Sequence, residues 1–162
     1  MGDFLKRLLI ATVFICTFLL FGCTNSNETA EKFARKGIYS VYLEETDISF
    51  TAVFDGEYQE YSFTSPSTLT GLKAVSYNGV DYELSYENIK QNTYSAALKC
   101  ATDFSAATEL LESSGTANGE TIFASIDGIT AKGFLQSGKL TKLEFCDGKD
   151  KRTYKIKTEA TG

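Results

Sequence analysis

Histidine and tryptophan are missing from the 162 residues, and proline and methionine occur once each. Without histidine the chain lacks the commonest general base, the usual imidazole metal ligand and the histidine-dependent nucleophilic triads. Catalysis would have to rest on carboxylates, lysine or serine. The candidate carboxylate pairs are Glu44 with Glu45, Glu109 with Glu112, and Asp147 with Asp150. Each reads more simply as solvated charge at a strand end, on a helix face or in a turn. The chain also has no Gly-x-Ser-x-Gly elbow, no phosphate-cradling glycine loop and no zinc-type cysteine spacing. The expectation is a protein that is not an enzyme and takes no cofactor and no metal. An excess of positive charge is missing too, since 16 basic residues stand against 21 acidic ones. No nucleic-acid partner is expected, because no basic stripe is visible to neutralise phosphates.

What is present begins with a largely apolar 14-residue run, residues 8–21, preceded by Lys6 and Arg7. Behind it the chain turns polar at Thr24-Asn25-Ser26-Asn27. A spanning helix needs about 20 apolar residues, so a charged start, a short apolar core and a small residue describe a secretory signal instead. The run ends in Leu20-Phe21-Gly22-Cys23.

That ending, Leu-x-Gly-Cys, resembles the lipobox of bacterial lipoproteins. In that family the cysteine takes a diacylglycerol, the signal is cut before it, and the new amino terminus is often acylated. The resemblance implies cleavage between Gly22 and Cys23, lipid such as palmitate on Cys23, and a protein held at the extracytoplasmic face of the cell membrane. Phe21 departs from the pattern, because the residue two before the cysteine is usually smaller. Acyl chains contribute roughly 0.8 kcal/mol per buried methylene, so two or three chains hold where one does not.

The expected organisation is a signal over 1–22, a lipidated cysteine and tether over 23–27, and one β-rich domain over 28–162. Cleavage leaves 140 residues and a net charge of −6, since Asp3, Lys6 and Arg7 leave with the signal. That length suits one domain with a hydrophobic core. Of the cysteines, only Cys100 and Cys146 remain in the domain; they either pair or serve as two small apolar residues, and both readings stay open.

Residues 28–36 read as a short helix, with Asn27 as cap, i,i+4 charge pairs and Gly37 as stop. From Ile38 the period changes to alternation. Strands are expected at 38–44, 47–54, 57–64, 69–77 and 80–87, with Asp55-Gly56 and Asn78-Gly79 as hairpin turns. In the last of these, Val80, Tyr82, Leu84 and Tyr86 share one face. A helix follows over 103–113 with Asp103 as cap, and then strands at 121–126, 129–136, 139–146 and 153–157. The fold class is α+β and mostly antiparallel: a curved sheet or half-barrel of about nine strands with two short helices.

This order resembles the half-barrel proteins of the LolA/LolB type and their clostridial lipoprotein relatives. The stretch Ser65-Pro66-Ser67-Thr68-Leu69-Thr70-Gly71-Leu72 is similar to a segment recurring in that group. The resemblance implies a binding fold without chemistry, whose concave face holds acyl chains or a partner. The candidate residues of that face are Phe50, Phe54, Tyr82, Leu84, Tyr86, Ile122 and Ile126. The same apolar stripe also serves as the core of any one-sided sheet. Tyr39, Tyr42, Tyr58, Tyr61, Tyr82 and Tyr86 point to a protein partner, because tyrosine joins apolar area to a hydrogen-bonding tip. The expected function is a membrane-anchored lipoprotein that binds an envelope protein. The alternatives are a carrier or receiver of acyl lipid and, further off, a carboxylate-based hydrolase.

Overall fold

Strands β1 (Gly37–Leu43), β2 (Ile48–Asp55) and β3 (Tyr58–Ser65) alternate buried and outward residues along nearly their whole length, as the sequence period requires. The computed structural model describes residues 33–86, 89–93 and 98–158, all within one compact unit. The signal, Gly22, Cys23 and the tether lie outside the described residues. After β3 come β4 (Lys73–Ser76), β5 (Tyr82–Tyr86), β6 (Ile89–Thr93) and the helix α1 (Lys99–Ser114). The chain finishes with β7 (Thr116–Asn118), β8 (Thr121–Ile126), β9 (Ile129–Gln136), β10 (Lys139–Asp147) and β11 (Asp150–Thr158).

All eleven strands form one antiparallel sheet in the order β6-β5-β4-β3-β2-β1-β11-β10-β9-β8-β7. The sheet consists of two meanders joined where β1 pairs with β11, from Tyr39 opposite Thr158 to Leu43 opposite Tyr154. It does not close, because β6 and β7 stand at its two edges. Reversals at Asp127-Gly128 and Ser137-Gly138 place both turn residues at positive φ, the geometry that continues the strand twist through a two-residue loop.

The inner face of the sheet packs on α1. Ala101, Phe104, Ala107, Thr108 and Leu111 recur at helical spacing and are buried. The Phe104 ring meets Tyr39, Phe50, Phe54 and Tyr154 at centroid distances of 5.3–6.1 Å. Farther along the helix, Leu111 lies over Gly133. A Cβ on that glycine would come within 3.0 Å of Leu111, Leu140 and Ile122, so glycine is what lets the helix and strand approach.

The structure departs from the sequence reading in several places. There are eleven strands, not nine, and α1 is the only helix among the described residues. The two added strands are β7, which is three residues long, and β6, Ile-Lys-Gln-Asn-Thr, which carries no clear alternation. Of the helix expected over 28–36, residues 33–36 have no regular structure, and Gly37 opens a strand. The backbone there is held in other ways: Arg35 N–H donates to Glu112 Oε1 at 2.9 Å, and Tyr39 O–H donates to the Arg35 carbonyl at 2.9 Å.

The strand expected over 69–77 is only Lys73–Ser76. Ahead of it, the Leu69 and Thr70 N–H groups donate to the Pro66 carbonyl, and the Gly71 N–H donates to that of Phe63. The Ser-Pro-x-x-Leu-x-Gly-Leu segment is thus a tight turn folded against the end of β3. Asp103 does not cap α1, which begins at Lys99 without a side-chain cap. Its carboxylate lies inside the helix, bound to Lys99 at 3.1 Å and to Arg152 of β11.

Candidate binding surfaces

Of the residues expected to line a concave face, Phe50, Phe54, Tyr82 and Ile122 are buried in the core. Leu84 packs against the same core at partial exposure. Tyr86 and Ile126 emerge at opposite ends of this face, at 36% and 52% exposure. The inner face therefore exists, and α1 occupies it.

A polar network sits within that packing. Gln59 Oε1 accepts hydrogen bonds from the hydroxyls of Tyr61 (2.9 Å), Tyr82 (3.0 Å) and Ser105 (2.9 Å). Ser105 in turn accepts from the guanidinium of Arg35, which lies 4.1 Å from the Phe54 ring centroid and reaches Glu109. Burial pushes the phenols of Tyr61 and Tyr82 up from their ordinary range. Burial, aided by Glu112, likewise pushes Tyr39 up to about 12. These hydroxyls stay protonated and act as donors at neutral pH, which suits a network that fastens α1 to β3 and β5.

Three of the six candidate carboxylates hold cationic or backbone partners. Glu44 holds Lys155 at 2.7 Å, Glu109 and Glu112 both bind Arg35, and Asp147 faces Asp150 across the β10–β11 turn. Among the described residues no cluster of three metal-ligating side chains occurs. Cys100 and Cys146 are both free. Cys100 lies in the helix packed on the inner face, whereas Cys146 alternates to the outer face between Phe145 and Asp147. No helix among the described residues is long and apolar enough to cross a membrane.

Among the described residues, the most exposed large apolar side chains stand at the β4–β5 turn. Tyr77 is 72% exposed and Val80 59%. Tyr77 meets Tyr58, at the start of β3, with ring centroids 5.6 Å apart. The turn that presents them is rigidly bonded: Asn78 Oδ1 accepts the N–H groups of Val80 and Asp81, and Ser76 Oγ accepts that of Gly79. A hydrogen bond to Glu60 anchors Tyr58 and pushes its phenol up to about 12.

No family model and no curated protein matches the chain. Its functional reading rests on its own residues.

Sequence reasoning assigned Val80 to the inner face and passed over Tyr77. The available signal was Asn78-Gly79 itself, since residues flanking a hairpin turn lie beyond the paired strands and lose the cover of the sheet. Of the tyrosines expected to meet a partner, Tyr39, Tyr61 and Tyr82 are buried, while Tyr42, Tyr58 and Tyr86 reach the surface.

Proposed function

We propose that the chain is an exported lipoprotein, anchored through Cys23 at the extracytoplasmic face of the membrane. Its domain is a non-catalytic half-barrel that binds an envelope protein through the Tyr58, Tyr77 and Val80 tip. The observation that carries this reading is the tip: two tyrosine rings in contact and an exposed valine on the same turn, held by side-chain hydrogen bonds, bind a partner without a large ordering cost. Curvature of the sheet is supported by reach. Phe104 touches β2 and Leu111 touches β9, four strand spacings or about 19 Å apart in a flat sheet, while the helix advances only about 10 Å between them. The rival reading, a carrier of acyl chains, would require α1 to leave the inner face, because Phe104 and Ala107 are fully buried there.

One experiment in the source cell addresses both anchor and tip. Wild type should incorporate radiolabelled palmitate and retain a protein partner after cross-linking. Cys23→Ala should give an unprocessed, unlabelled precursor, and Tyr77→Ser/Val80→Ser should keep the label while losing the partner. Label surviving in Cys23→Ala would end the lipoprotein reading; a partner surviving the double substitution would end the assignment to the tip.

A further inference from the structure

The outer face of the second meander carries charge of the opposite sign to the chain as a whole. Lys132, Lys142, Lys151, Lys155 and Lys157 point outward from β9, β10 and β11, against Glu144. The strand register aligns Phe134, Lys142, Lys155, Tyr42 and Ser49 in one row across β9, β10, β11, β1 and β2. Lys142 and Lys155 are therefore direct cross-strand neighbours, and like charges in that relation destabilise a sheet. Each is partly offset, Lys142 by Glu144 and Lys155 by Glu44, both at 2.7 Å. Lys157 faces the same side two residues along β11, so the three ammonium groups stem from positions about 5–8 Å apart.

Beside this row the surface sinks into an open depression of about 640 Å³, lined among others by Tyr42, Thr51, Thr64, Thr141, Lys155 and Lys157. Hydroxyls, ammonium groups and one aromatic ring make up its functional lining. We propose that this depression binds an acidic glycan, whose carboxylates sit against Lys155 and Lys157, with Lys142 at its border as the cross-strand neighbour of Lys155, and whose hydroxyls meet the threonines. Lys142 and Lys155 each hold one carboxylate of the protein, and an ammonium group with three donors gains from the further acceptors that a ligand carboxylate brings. An extended acidic peptide fits less well, because the main-chain groups of these central strands are already paired within the sheet. A bilayer surface fits less well still, since Val41, Phe50 and Ile156 of the lining turn their side chains inward and leave no aliphatic group for insertion. This site lies on the outer face, away from the β4–β5 tip, and does not depend on the tip having a partner.

The test is calorimetric titration of the full chain, purified in a neutral detergent, with an oligogalacturonate. Its methyl-esterified counterpart, a poly-glutamate peptide and a water-soluble short-chain phosphatidylglycerol serve as comparisons. The expected result is saturable binding of oligogalacturonate that weakens with salt and is lost on esterification. Lys155→Glu/Lys157→Glu should weaken it by at least about tenfold, as reversal of contacting charges does. Lys36→Glu, just ahead of β1, should leave it unchanged, with matching thermal melts showing that all three proteins fold. Equal binding of the methyl ester, unchanged binding by the double variant, or binding only of poly-glutamate or phosphatidylglycerol would overturn the proposal.

Discussion

Phe104→Ala should destabilise the domain by about 3–5 kcal/mol, the range for truncating a fully buried aromatic. The ring has no solvent exposure and touches side chains of β1, β2 and β11, the strands where the two meanders meet. Its loss leaves a cavity that rigid strands on three sides cannot collapse into. Because a domain of this size holds only about 5–15 kcal/mol, the melting temperature should fall by on the order of 10 °C or more. Urea unfolding followed by tyrosine fluorescence checks this. A cost below about 1 kcal/mol would mean that α1 is not seated on the inner face as described.

The second large effect is expected from Gln59→Leu. This change keeps the volume and adds hydrophobicity at a site only 3% exposed, so a purely apolar core would tolerate it. Here it removes one acceptor from three buried hydroxyl donors, those of Tyr61, Tyr82 and Ser105. Each stranded hydroxyl costs about 1–3 kcal/mol, and the shared acceptor makes the losses less than additive, so a total on the order of 3 kcal/mol is expected. Gln59→Glu should recover part of it, since an acceptor returns beside the Arg35 guanidinium. Equal stability of the leucine variant in urea would show that water replaces the glutamine and that the network contributes little.

Both effects arise from parts of the chain that the sequence discloses unequally. The long alternating strands and their Gly-marked turns were legible because period and turn chemistry agree over many residues, as in 121–126, 129–136 and the Asp127-Gly128 reversal between them. The role of Phe104 as the hub of the core could be placed only on a helix face, since its partners lie 50 or more residues away in either direction. Gln59 was not singled out at all, and Arg35 reads from sequence only as the i,i+4 partner of Glu31 in the helix expected over 28–36. A polar residue within a strand reads as surface, and only the fold places Gln59 under Ser105.

The surfaces were legible in the same uneven way. Inner-face positions Phe50, Phe54, Tyr82 and Ile122 followed from alternation, but alternation says nothing of what covers the face, and α1 does. The outer lysine row escaped notice because its lysines are spread over three strands, from one on β9 to three on β11. An acidic composition hides a basic stripe assembled by register across β9, β10 and β11. The short apolar segment and Cys23 are local signals and needed no fold to be read.

Whether α1 permanently fills the inner face is decided by native mass spectrometry of residues 24–162, purified from cells and measured before and after solvent extraction. A filled face predicts the bare sequence mass in both spectra. A stoichiometric adduct of fatty-acid or phospholipid size, removed by solvent, would show that the helix yields to acyl chains and that the domain is a carrier.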